Sequence, residues 1–246
     1  MWIVTPSHQS QRYHSISHTI VHEVSKPIIH QSSIEVTTAF TISLDQEHTS
    51  LIISGHIDTV RFNRENQSTP DNNSLTLPLS FEGELGSTTL TITVKNHQVS
   101  DKSCSPFISS ILSDVRTTVA IYPTRLTPGL TWKDSTLIKS CTTQGVPTTR
   151  KTLQSFRVVG EKTFNATKAI FLQRVDSTYT SGDGAEGNHE IHLTGIGTGT
   201  ANIYISPITA ATLSTELVEK TEIAITNSGK TRQFIQEVTQ RLTATN

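Results

Sequence analysis

The sequence predicts an all-β chain with one inserted helix. The expected architecture is a large curved antiparallel sheet, or half-open β-barrel, of about ten strands, with the helix packed on the concave face. Three observations carry this. Serine and threonine fill roughly a quarter or more of the chain, while hydrophobic content is 34% and charged content 17%. Threonine suits strands and serine suits turns, and strong helix formers are scarce. Apolar residues mostly alternate, and the alternating runs are separated by turn-like clusters.

The elements follow in order. "YHSISHTIVH" reads as the first strand, with His14, Ile16, His18, Ile20 and His22 on one face. "SIEVTTAFTISL" places Ile34, Val36, Thr38, Phe40 and Ile42 on one face, and "TSLIISGHIDTV" follows as its hairpin partner. "RFNRENQSTPDNNS" reads as an exposed loop. Strands resume at "LTLPLSFEGEL" and "STTLTITVKNHQVS", the latter with Leu90, Ile92 and Val94 alternating with threonines. The β pattern then breaks. In "SPFISSILSDVRTTV", Phe107, Ile108, Ile111, Leu112 and Val115 stand at helical intervals. Ser105 can cap this stretch and Pro106 suits its first turn, which predicts a helix over 105–117. "YPTRLTPGLTWKDST" reads as a loop. Five strand runs complete the meander, with separators "GEKTFN", "SGDGAEGN", "SPITA" and "TNSGK". The last run, with Phe234, Ile235, Val238 and Leu242, also fits a helix, but its threonines and β-branched residues favour a strand. No linker divides the chain. Residues 1–246 read as a single β domain, with 1–12 as a flexible or exchanged N-terminal arm.

A formal net charge of -1 gives no electrostatic footprint for nucleic acid or an anionic membrane. No run of eighteen or more apolar residues offers a membrane span, and "MWIVTPSHQS" lacks the basic-then-apolar pattern of a signal peptide. Cys104 and Cys141 are an even pair, open to a disulfide or to two buried thiols. Asn66, Asn72 and Asn165 fit the N-glycosylation pattern.

The chemical motifs weaken under geometry. Histidines spaced by four stack on a helix, but on a strand neighbours stand about 13 Å apart, too far for one metal ion. A cross-strand histidine would be needed, and His30, His48 and His56 are the candidates. "NHEIH" is not the zinc-protease pattern, and a strand turns His189 and His192 to opposite faces. "SGDGAEGN" carries Asp183, Glu186 and Asn188, oxygen ligands suited to calcium, but it matches no EF-hand loop and reads as a hairpin. "GIGTGT" is followed by the strand run "ANIYIS" rather than by a helix. Its glycines therefore point to close backbone approach, not to a dinucleotide. Trp132 reads as a packing anchor, and Asp134 as a turn residue accepting backbone N–H bonds. There is no Gly-x-Ser-x-Gly elbow and no catalytic cysteine signature, so no catalytic residue, metal or cofactor is expected.

"LTPGLTWKDST", "VPTTRKTLQSFRVVGE" and "GIGTGTANIYISPITAATLSTE", with the upstream "FEGEL", resemble segments of exported bacterial proteins mostly without an assigned function. Their architecture is similar to the half-barrel with a helix plug of periplasmic lipoprotein carriers (LolA/LolB-like). The resemblance spans roughly residues 75 to 242 and implies a fold and an extracytoplasmic address, with little chemistry. No lipobox cysteine stands near the start, so lipid anchoring is not expected.

The expected function is a non-enzymatic binding protein whose concave apolar face takes a lipid, another hydrophobic ligand or a partner protein. Its lining would be Phe107, Ile108, Ile111 and Leu112 on the helix, with Ile92, Val94, Ile170 and Leu172 on strands. The alternative is a structural subunit of a surface or filament assembly, joined by strand exchange or edge pairing. A hydrolase without a recognisable motif ranks last.

Overall fold

The computed structural model describes residues 1–4, 9–25, 32–47, 50–64, 77–85, 90–94, 115–116, 118, 122–141, 146–186 and 189–245. Thirteen strands are described among them. Two are short, β1 (Trp2–Ile3) and β7 (Arg125–Leu126), and pair with each other. The other eleven form one antiparallel sheet. They are β2 (Gln9–Glu23), β3 (Ser32–Glu47), β4 (Ser50–Arg64), β5 (Leu79–Leu85), β6 (Leu90–Val94), β8 (Thr131–Cys141), β9 (Pro147–Phe164), β10 (Thr167–Glu186), β11 (His189–Ile205), β12 (Thr212–Asn227) and β13 (Lys230–Thr245).

The spatial order is β6-β5-β4-β3-β2-β13-β12-β11-β10-β9-β8. This is not the single meander that the sequence suggests. Two meanders join at their first and last strands, β2 and β13, which pair over Arg12 to Glu23. The chain walks from the middle of the sheet to one edge, crosses to the other, and walks back. The sheet is not closed: β6 and β8 are its edges. Register shifts at Ala39/Phe40, Phe171/Leu172 and Tyr204/Ile205 bend individual strands, as bulges do.

The strands form because the sequence alternates. Along β11 every odd residue from Ile191 to Ile205 is buried, and the even ones, Tyr204 apart, are exposed. Following the register outward from β11 defines one inner face across the sheet. Two apolar clusters occupy that face. One gathers Tyr13, Phe40, Ile42, Ile53, Ile57, Leu79, Phe81, Val115 and Leu242. The other gathers Val4, Leu126, Phe156, Val158, Ile170, Leu172, Ala201, Ile203, Ile205 and Leu217. Each fully buried side chain of this size contributes about 1.5–3 kcal/mol relative to exposure.

The described residues of the crossing segment contact groups of the inner face. Val115 packs in the first cluster, the Thr212 hydroxyl donates to the Thr118 carbonyl at 3.0 Å, and Tyr122 packs edge-on to Trp132 at 6.3 Å. Of the helix expected over 105–117, only Val115 and Arg116 fall among the described residues; they and Thr118 are helical, and the inserted helix as a whole is not shown. Of the N-terminal arm expected over 1–12, residues 1–4 and 9–12 are described. Its first strand pairs with β7, and Val4 is buried after donating to the Thr124 carbonyl at 3.0 Å.

Several expected loops are strand. "GEKTFN" extends β9 as far as Phe164, with Asn165–Ala166 as the turn, both at positive φ, and "SGDGAE" extends β10 to Glu186. Long hairpins with two-residue turns keep pairing to their ends. "TWKDST" belongs to β8, so Trp132 and Asp134 stand on a strand. The turn is earlier, at Pro128–Gly129: Leu130 N–H donates to the Thr127 carbonyl at 3.0 Å, and Gly129 has φ 85. That is the proline-glycine geometry of a type II turn. The last long run, ambiguous in sequence, is the strand β13.

Candidate functional site

The inner face is not uniformly apolar. Its middle is built from three consecutive cross-strand rows. The first runs Ile34, Thr19, Val238, Glu219, Gly199, Asp176, Gln154, Asp134 from β3 to β8. The second runs Val21, Gln236, Thr221, Gly197, Thr178, Thr152, Thr136 from β2 to β8. The third runs Glu23, Phe234, Ile223, Gly195, Thr180, Arg150, Ile138. Half-buried apolar groups from β2, β3, β12 and β13 stand on one side of these rows, and buried polar groups of β9, β10 and β12 on the other.

Four charged side chains of β9, β10 and β12 pair on the polar side. Arg174 and Asp176 lie two apart on β10, so they share the inner face. Arg174 donates to Asp176 Oδ2 twice, from Nε at 3.1 Å and from a terminal nitrogen at 2.8 Å. Arg150 of β9 reaches over β10 and β11 to the Glu219 carboxylate of β12. Thr221 donates to Glu219 Oε1 at 2.9 Å, and the Thr152 and Thr178 hydroxyls bond each other at 3.3 Å. Burial pushes the Asp176 carboxyl up from its ordinary value; Arg174 opposes this and Glu219 adds to it.

The glycines of "GIGTGT" make this reach feasible. Gly195, Gly197 and Gly199 fall on the inner face, between the Asp176 strand and the Glu219 strand. A Cβ at Gly197 would lie 2.5 Å from the Thr221 hydroxyl, and one at Gly199 would lie 3.1 Å from the Val218 carbonyl. Side chains there would fill the floor over which Arg150 passes. Among the described residues, three polar atoms in this region are buried without a hydrogen-bond partner: Asp176 Oδ1, Arg150 Nε and Trp132 Nε1.

The sequence-predicted lining is placed as follows. Ile170 and Leu172 are fully buried in the second cluster with Val4 and Leu126, beneath the β1–β7 pair. Ile92 and Val94 stand opposite Gly83 and Phe81 in register on β6. Phe107, Ile108, Ile111 and Leu112 lie outside the described residues, as do Cys104, Asn66 and Asn72. Asn165 is exposed at the β9–β10 turn. Cys141 ends β8.

The histidine row stands on the outer face, away from the polar rows. Its neighbours on β3 and β13 are His14 with Ala39 and Thr243, and His18 with Glu35 and Thr239. His18 Nε2 meets the Ser33 hydroxyl at 2.7 Å. His56 meets Asp58 at 3.1 Å, and Arg12 shares that carboxylate at 3.4 Å. Among the described residues no group of three or more ligands gathers for a metal; His30 and His48 lie outside them. His189 and His192 take opposite faces, with partners Ser228 at 2.7 Å and Asp183 at 2.6 Å. Asp183 is thus on a strand, in an exposed cross-strand pair. Trp132 is a packing anchor, stacked on Phe156 at 4.8 Å, and Asp134 accepts the Ser135 N–H at 2.7 Å.

No family model, curated protein or solved structure matches the chain. No helix among the described residues is long and apolar enough to cross a membrane.

Proposed function

We propose that this chain is a non-enzymatic, extracytoplasmic binding protein whose inner face holds a lipid or another apolar ligand. One observation carries the reading. Val21, Ile34, Ile223, Phe234 and Val238 point inward by register, yet remain only half-buried, beside two clusters that are closed. Apolar side chains left half-covered on a sheet's inner face are the usual lining of a ligand site. The resemblance to periplasmic carriers points the same way. The test is native purification followed by mass spectrometry of co-purifying lipids. A bound apolar species is expected, and Val238→Asp should release it. A chain that purifies empty and takes up no apolar dye would overturn the reading.

A structural subunit is the second reading, favoured by β8. It is an eleven-residue edge strand with no described partner on its far side, and Leu137 is exposed on it. Lys133, Lys139 and the Asp134 bond to the Ser135 N–H blunt that edge, as protected edges do. A concentration-independent monomer in size-exclusion chromatography would rule out edge assembly.

A further inference from the structure

We infer that the buried ionic cluster selects the polar head of the bound ligand, and that this head is neutral and hydrogen-bonding, a hydroxyl or an amide. The inference rests on the binding reading above and adds the ligand class. It starts from the bonds left unmade. Asp176 is 2% exposed, and both bonds from Arg174 fall on Oδ2, so Oδ1 is a buried acceptor without a donor. Arg150 spends a terminal nitrogen on Glu219, so its Nε–H is a buried donor without an acceptor. Buried polar groups without partners are rare in folded proteins, and two of opposite sense in one cluster call for a group that can both donate and accept.

Charge narrows the choice. Two arginines face two carboxylates, so the cluster is neutral and its cations are already paired. A carboxylate or phosphate head would bring a further negative charge into a desolvated site, next to Asp176 and Glu219, whose arginine partners are already engaged. A quaternary ammonium head could neither donate nor accept. A hydroxyl takes the Arg150 Nε–H and gives its proton to Asp176 Oδ1; an amide does the same with its C=O and N–H. Geometry supplies the tail. Val238 is the direct cross-strand neighbour of Glu219, Thr19 and Ile34 continue the same row, and Phe234 and Ile223 lie four residues further along their strands, on the same face. Arg150, with about a third of its side chain exposed, marks where the head would enter.

The test compares ligands that share one acyl chain. Monooleoylglycerol, oleamide, oleate and oleyl phosphate are titrated into the full chain, following tryptophan fluorescence or heat. The neutral pair should bind at least about tenfold more tightly than the anionic pair, the scale of one buried hydrogen bond or more. Arg150→Lys keeps the charge but removes the Nε–H, and should erase the preference. Phe234→Ser should weaken all four ligands alike. Far-UV circular dichroism confirms that each variant is folded. Equal binding of neutral and anionic heads, or a preference for oleate, would overturn the head-group inference and leave the binding reading standing. Failure of all four to bind would overturn both.

Discussion

The bridge from Arg150 to Glu219 can be weighed by a double-mutant cycle. Glu219 is 5% exposed, and its other described side-chain partner is the Thr221 hydroxyl at 2.9 Å. Arg150→Met keeps most of the stem and deletes the charge, leaving a carboxylate desolvated with one hydroxyl to meet it. Removing one partner of a buried pair costs about 3–5 kcal/mol. Arg150 is 35% exposed, so water already screens part of the interaction, and about 2–3 kcal/mol is the expected loss. For a chain of this size that is about 4–12 °C in Tm. Glu219→Gln should cost about 1 kcal/mol, because the guanidinium can turn toward solvent. The double change Arg150→Met, Glu219→Gln removes both charges and should recover most of the loss, giving a coupling of at least about 1 kcal/mol. Urea unfolding followed by tryptophan fluorescence measures each corner, with constant slopes confirming two-state comparison. If Arg150→Met unfolds within about 0.5 kcal/mol of the parent, the bridge is not a structural tie across β10 and β11, and the reasoning fails.

Three further outcomes are expected. Gly55→Ala would place a Cβ 2.0 Å from the Thr41 carbonyl oxygen and 2.6 Å from the Phe81 ring; overpacking against backbone should cost about 3 kcal/mol or more, read as a lowered urea midpoint. Ala166 sits at φ 61 after Asn165 at φ 47, so Ala166→Gly converts the turn to the favoured Asn-Gly hairpin and should raise stability by about 0.5–1 kcal/mol in thermal unfolding. The raised Asp176 carboxyl implies a signed pH effect. The folded state holds that proton above the pH at which the unfolded state releases it, so the stabilisation from this group is full below the unfolded value and is lost as pH rises through the folded one. Between parent and Asp176→Asn, the difference in unfolding free energy should therefore change with pH in that window, and a difference that stays flat from acid to neutral pH would contradict it.

Much of the sheet was legible because alternation is a local signal. Ile34, Val36, Thr38, Phe40 and Ile42 share the inner face as their spacing requires, and β11 keeps its period from Ile191 to Ile205. Pairing between β2 and β13 was not legible. No local feature of Tyr13 or Ala244 announces a partner more than two hundred residues away, and the hairpin pattern favours neighbours in sequence. The end of β9 was misplaced for a similar reason: Glu161 and Lys162 are polar, yet they lie in the ladder because an exposed face tolerates them. The charged cluster escaped because its members come from β9, β10 and β12, and only the register brings them together. One signal was present. Arg174 and Asp176 share parity with Ile170 and Leu172, which puts two charges on the face where the same strand buries its apolar residues.

That coincidence of costs argues for a role at the middle of the inner face. Glycine in a strand interior forfeits side-chain packing and costs about 0.5–1 kcal/mol against alanine, and three stand at alternate positions of β11. Buried ion pairs are seldom more stabilising than apolar residues of the same volume. An unpartnered carboxylate oxygen adds a further desolvation cost. Each departure could be tolerated alone, but here the glycines form the floor under the arginine that reaches Glu219, and the orphaned oxygen belongs to the neighbouring pair. Sequences that specify a fold break their local rules mainly where function requires it. If instead the region were only structural, replacing Arg150, Arg174, Asp176 and Glu219 together with leucine or methionine should yield a more stable chain that still binds apolar ligands without regard to the head. Retention of head-group discrimination after that replacement would place the discriminating groups elsewhere on the inner face.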